Sequence, residues 1–167
     1  CIRDRYTSLR FGKDGTSYIL LEEDVTPMKE EFSICSWVRR LRDDNSYFQY
    51  WLSYGVSGSI YELFISDMGY TAMFDDGTTY TEPTRTTGEW HSICLTWSFT
   101  KRTRVVYYDG QQIGTEGTPR IRKLKVPGTL LLGQLIRYNG VESIVSGYHF
   151  GGELFDTNIF STQLSAG

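Results

Sequence analysis

The sequence predicts an all-β protein: an antiparallel sandwich of two sheets in a jelly-roll arrangement. Three observations carry that expectation. Trp90-His91-Ser92-Ile93-Cys94-Leu95-Thr96-Trp97 and Phe32-Ser33-Ile34-Cys35 each place a cysteine inside a short aromatic and aliphatic run of the kind that forms a buried strand. The two cysteines lie 59 residues apart, so a bridge between them ties strands distant in sequence and adjacent in space. The whole chain then reads as short strands broken by turn residues, with no helical period sustained beyond about two turns.

Each strand follows from local pattern. Ser8-Leu9-Arg10-Phe11 alternates, Lys13-Asp14-Gly15 turns, and Tyr18-Ile19-Leu20-Leu21 resumes. Glu22 to Pro27 reads as a loop, and Thr26 to Glu31 has room for one helical turn. Phe32 to Val38 is a strand, and the charged stretch from Arg39 to Ser46 a turn. Phe48 to Tyr54 and Tyr61 to Ser66 are strands joined through Gly55-Val56-Ser57-Gly58. Tyr70 to Phe74 turns at Asp75-Asp76-Gly77 into Thr78 to Thr81, since a closing glycine supplies positive φ at low cost. His91 to Trp97 is next, then Thr103 to Tyr108, turning at Asp109-Gly110 into Gln111 to Ile113. Thr129 to Gly133 and Gly152 to Phe160 complete the set. Trp37, Trp90, Trp97 and Trp51 are expected in the core around the bridge, although alternation places Trp97 on the face opposite Cys94.

Composition bounds the class. At 167 residues the chain is a single domain, spanning residues 1–167, large enough to bury a core without metals. An aromatic share of 15%, with many Thr, Ser and Gly, leans toward β-structure. A net charge of −3 gives no argument for nucleic acid or an anionic membrane as partner. No apolar run approaches the ~18 residues of a membrane span. The numbering starts at Cys1 with no leader segment, so the chain reads as part of something longer. Cys35 and Cys94 pair first among three cysteines. Cys1 then bonds outside this segment, bonds a second copy, or stays free.

At this point the residues resemble a known family. Cys94-Leu95-Thr96-Trp97 resembles the heart of the pentraxin signature, and Phe32-Ser33-Ile34-Cys35 the partner strand of the pentraxin disulfide. Tyr107-Tyr108-Asp109-Gly110 is similar to the family's hairpin, and Leu130-Leu131-Leu132-Gly133-Gln134 to the strand that leads into its calcium loop. Phe150-Gly151-Gly152-Glu153-Leu154 resembles the late Phe-x-Gly-Glu run, and Ile159 to Ser165 the final segment. The resemblance covers residues 8–165 and implies a pentraxin-type fold, akin to concanavalin and laminin-G domains. Ser92 stands where the signature has His, and Phe99 where it has Ser or Thr. The Trp-His-x-Ile-Cys form is closer to the pentraxin-like domains of adhesion G-protein-coupled receptors and neuronal pentraxins.

The resemblance also implies a calcium site whose ligands this chain lacks. Calcium takes six to eight oxygens, mostly from carboxylates and amides. Ile60 and Tyr61 fall where the family has an Asp-Asn pair, Leu135, Ile136 and Arg137 where it has Glu, Gln and Asp, and Tyr148 where it has a late Gln. Glu142 is the nearest spare carboxylate. No metal and no cofactor are therefore expected. Tyr61, Arg137, Tyr138 and Tyr148 become the candidate binding surface, for a protein or glycan ligand or a second copy of the domain.

Other constellations weigh less. Arg120, Arg122, Lys123 and Lys125 form a basic stretch, read either as charges that protect an edge or as an anionic-glycan or partner surface. Asp43-Asp44-Asn45 lacks the Gly and distal Glu of a calcium loop and is better taken as a solvated turn. His91 is expected to pack beside Trp90, with no thiol partner; two histidines make no His-rich zinc site. Glu62-Leu63-Phe64-Ile65-Ser66-Asp67 does not fit the paired carboxylates, about 5 Å apart, of a jelly-roll retaining glycosidase. The expectation is a non-enzymatic, calcium-independent extracellular recognition or assembly module from an adhesion-receptor ectodomain. The alternative is a soluble secreted pentraxin-type lectin of innate defence.

Overall fold

The computed structural model describes residues 7–21, 26–43, 49–67, 71–73, 76–78, 86–116, 122–138 and 142–165. Two antiparallel sheets face one another. The first holds β1 (Leu9–Arg10), β14 (Gly152–Phe160), β3 (Glu31–Arg40), β8 (Trp90–Ser98), β9 (Thr103–Tyr108) and β10 (Gln111–Glu116), in that spatial order. The second holds β2 (Ile19–Leu21), β11 (Thr129–Leu132), β4 (Tyr50–Val56), β5 (Ser59–Ser66), β6 (Thr71–Met73) and β7 (Asp76–Thr78). A separate hairpin pairs β12 (Ile136–Tyr138) with β13 (Glu142–Ile144). Among the described residues the one helical turn is 3-10, Thr26–Lys29. This is the two-sheet jelly roll expected from the sequence.

Alternation builds the core. On β3, Phe32, Ile34 and Val38 point inward and are buried, as are Ile93, Leu95 and Trp97 on β8 and Val106 on β9. They meet Leu52 and Tyr54 of β4, Leu63 and Ile65 of β5, and Leu130 and Leu132 of β11. Phe32 and Trp97 stack with centroids 5.1 Å apart. A register shift between Tyr50 and Leu52 turns Trp51 fully inward, where its Nε1 donates to the Ser66 carbonyl at 3.0 Å. That bond satisfies a donor that burial would otherwise strand.

The disulfide between Cys35 and Cys94 is present, and the two residues are direct cross-strand partners with Cα atoms 4.1 Å apart. Its surroundings differ from the expectation. Cys35, Trp37 and Arg39 share the outward face of β3, so the bridge lies on the outside of the first sheet. Trp37 is 43% exposed and Trp90 half-buried; only Trp51 and Trp97 of the four tryptophans belong to the core. Two boundaries also move. Arg39 and Arg40 continue β3, and Met73 pairs with Asp76, which puts Asp76 and Gly77 in a strand instead of a turn.

Candidate recognition surfaces

The outer face of the second sheet is covered by the chain itself. Leu135 and Ile136 are buried, and β12 lies across β4 and β5. Gly55 on β4 admits Ile136: a Cβ there would stand 2.9 Å from Ile136 Cγ2. Ser53, fully buried between the layers, donates its hydroxyl to the Gln134 carbonyl at 2.7 Å and accepts from Ile136 N–H at 3.0 Å. Tyr50, Phe64 and Leu135 form a small apolar cluster, with Val145 and Tyr148 packed against it. The Tyr50 and Phe64 rings meet edge-on at 4.7 Å, and the Tyr50 and Tyr148 rings are tilted at 5.8 Å. Two of the positions aligned with calcium ligands, Leu135 and Ile136, thus serve as apolar packing.

Three residues of the candidate surface, Arg137, Tyr138 and Tyr148, lie in this layer. Tyr148 sits at the base of the hairpin, where its carbonyl accepts from Tyr50 N–H at 3.1 Å and its ring joins the cluster. Arg137 and Tyr138 stand farther along β12, half-buried, paired across the hairpin with Ser143 and Glu142. Tyr61 lies on β5, and its side chain falls outside the description, as does that of Glu142. Ile60, beside Tyr61, is 43% exposed.

The basic stretch is largely engaged. Glu62 is fully buried and accepts from Nη1 and Nη2 of Arg122, at 2.8 and 2.7 Å. Its Oε1 also accepts from Lys125 N–H at 2.8 Å. A buried carboxylate needs that many partners to repay its desolvation. The arrangement pins 122–125 to β5, a structural role that the sequence reading of Arg122 did not anticipate. Tyr54 completes it, donating to the Lys125 carbonyl at 2.8 Å. Burial pushes the Tyr54 hydroxyl above its ordinary range, and the Glu62 charge adds to that. Lys123 pairs with Glu30 and lies 5.3 Å from the Phe99 ring, while Lys125 Nζ donates to the Gly58 carbonyl at 3.2 Å. Cys1, Arg120, and Asp44 and Asn45 of the expected turn, lie outside the described residues.

Two polar arrangements were not singled out from the sequence. His91 shares its ring nitrogens between Thr86 Oγ1 and Asp109 Oδ2, the latter at 2.8 Å, and stacks on Tyr108 at 4.9 Å. Asp109 also accepts from Ser92 N–H at 2.8 Å, so the group fastens the start of β8 to the turn after β9. On the outer face of the first sheet, Glu153 and Arg39 pair beside Trp90. The register that brings these together cannot be read from any one strand.

Comparison with known proteins agrees with the architecture. A family profile described as the concanavalin A-like lectin/glucanases superfamily matches residues 13–167. Human neuronal pentraxin-1 is 28% identical over 149 residues, covering 84% of this chain and 33% of that protein. The chain therefore spans about a third of the length of the curated relatives it matches. Among solved structures, the native heptameric SAP-like pentraxin from Limulus polyphemus superposes with a TM-score of 0.74 at 17% identity, over 95% of this chain and 77% of that one. The full extracellular region of zebrafish Gpr126/Adgrg6 gives 0.62 at 10% identity, over 89% and 22%.

Proposed function

This chain belongs to the concanavalin A-like lectin/glucanases superfamily, and from that premise we propose that it is a pentraxin-like recognition module that works without catalysis and without calcium, in an extracellular setting. The observation that carries calcium independence is the packed layer on the second sheet. Leu135 and Ile136 are 3% and 2% exposed, so these positions offer neither a side-chain oxygen nor room for a hydrated cation. The test is thermal melting in excess calcium and in chelator. The expected midpoints are equal, because a ligand bound only by the native state would raise the midpoint. A reversible rise of several degrees with calcium overturns the reading.

Recognition in this proposal runs through the aromatic and basic side chains around that layer, Tyr61, Arg137, Tyr138 and Tyr148. Tyr and Arg are among the side chains that most often anchor interfaces, and they suit a protein partner, a glycan or a second copy of the domain. Combined replacement of Tyr61, Arg137 and Tyr148 should weaken self-association in sedimentation velocity, or capture of a candidate partner. A folded triple variant that keeps both unchanged removes this surface from consideration. The basic residues Arg120, Arg122, Lys123 and Lys125 then come next, with Arg122 the least available because it holds Glu62.

The parent we propose is an adhesion-receptor ectodomain. A soluble secreted lectin of pentraxin type has one observation in its favour. The curated relatives with sequence likeness are pentraxins by name, whereas likeness to the receptor region is at the level of fold. A full-length transcript separates the two by whether it encodes a membrane-spanning segment.

A further inference from the structure

We propose a second binding site, on the outer face of the first sheet, that takes a saccharide carrying a carboxylate. Its register is fixed by four strands. Arg10 on β1, Glu153 on β14, Arg39 on β3 and Trp90 on β8 are successive cross-strand partners in one row. Phe155, two residues along β14, turns its ring edge-to-face toward Trp90 at 6.4 Å. Between them opens a cleft of about 400 Å³ lined by Ser8, Arg39, Trp90, Glu153 and Phe155. That volume lies at the small end of the range for ligand cavities, enough for one or two sugar rings.

The chemistry of the lining selects the occupant. Glu153, 9% exposed at its side chain, is ion-paired with Arg39 and lies 4.0 Å from Arg10 Nε. Arg39 also covers one face of Trp90, its guanidinium carbon 4.9 Å from the ring centroid. Its Nε is buried and has no hydrogen-bond partner among the described residues. The walls are aromatic and the rim is polar, so the ligand must present an apolar face and hydrogen-bonding groups on the same small ring. A pyranose does so: its axial C–H face packs on aromatic carbon while its hydroxyls reach outward. A purely aromatic ligand makes no use of the charged side chains of Arg39 and Glu153. A bare anion makes no use of Trp90 and Phe155. Two guanidinium groups against one carboxylate leave the row one positive charge in excess, which favours a ring that bears its own carboxylate. Glu153 then accepts from ring hydroxyls, and Arg10, 74% exposed, approaches the ligand carboxylate from the rim.

The site lies on the sheet opposite the packed layer, so it stands or falls apart from calcium independence; the melts test one and sugar titration the other. The probes are methyl glycosides of glucuronic, galacturonic and N-acetylneuraminic acid, with methyl glucoside and methyl galactoside as uncharged controls. They are titrated into the disulfide-intact chain by calorimetry and saturation-transfer NMR. At least one acidic glycoside should bind about fivefold or more tighter than the uncharged controls, the scale of one exposed charge pair. Arg10→Gln should reduce that preference toward parity, and Trp90→Leu should weaken binding about tenfold or more. Absence of binding by every acidic probe up to about 10 mM overturns the proposal. So does equal binding of charged and uncharged glycosides, or unchanged binding by folded Trp90→Leu. If Trp90→Leu does not fold, the exposed Arg10→Gln decides, and an undiminished acid preference counts against the site.

Discussion

Trp37 and Trp97 occupy two directly paired strands and face opposite ways. Trp97 lies inside, 0% exposed, stacked on Phe32; Trp37 lies outside, 43% exposed, opposite Phe155 on β14 and Ser92 on β8. Alternation decides which residues of a strand share a face, but not which face meets the other sheet. The neighbours held the deciding signal: Phe32, Ile34 and Val38 make one face of β3 mainly apolar, broken only by the small Ser36, while Trp37 shares its face with Ser33 and Arg39. The two substitutions should separate in urea unfolding. Trp97→Ala should cost about 3–5 kcal/mol, as for a large core side chain removed without collapse of the site. Trp37→Ala should cost less than about 1 kcal/mol. A large loss at Trp37 would mean that its ring holds the outer face together in a way exposure does not reveal.

The β12–β13 hairpin is the element that the sequence conceals. Strands with continuous signals are legible: Thr103–Tyr108 and Gly152–Phe160 fall where alternation and apolar content place them. The turn at Asp109-Gly110 does too, with φ of 48° and 74° in the left-handed region that such dipeptides favour. Leu135-Ile136-Arg137-Tyr138 offers a period too short to assign, and its partner strand has three residues. Its apolar pair gains meaning only when Gly55 and Ser53 supply a seat on the neighbouring sheet, a tertiary fact. The buried Glu62 is hidden for the same reason, since its partners Arg122 and Lys125 lie about 60 residues away. Filling the seat tests the hairpin. Gly55→Ala forces Ile136 outward and should cost about 1–3 kcal/mol. Amide exchange should quicken in 136–138 and 142–144 while β11 and the rest of β4 keep their protection. Unchanged exchange in the hairpin would show that Ile136 does not seat it.

At the scale of the whole molecule the two outer faces have different fates. The second sheet is roofed by its own hairpin. The first is open over Trp37 and Trp90 and is crossed near its end by the last residues, where Ser33 donates to the Thr162 carbonyl and accepts from Leu164 N–H, both at 2.8 Å. The bridge from Cys35 to Cys94 belongs to this open face, yet its loop of 59 residues contains β4, β5, β6 and β7 of the other sheet. It therefore restrains both halves of the sandwich in the unfolded chain while touching the core of neither. Chain-entropy reasoning gives such a loop about 4 kcal/mol of stabilisation. The native packing between β3 and β8 does not depend on it, because the inward residues of both strands lie on the far side of the sheet. Cys35→Ser combined with Cys94→Ser should thus fold to the same structure with a melting midpoint lower by roughly 8–16 °C, the shift that such a loss implies for a chain of this size. Non-reducing peptide mapping of the parent protein should recover the linked pair. A double variant that melts with the parent would show that the unfolded chain keeps these two strands together unaided; one that fails to fold would show that the outer face, and the aromatic row upon it, is organised by the bridge.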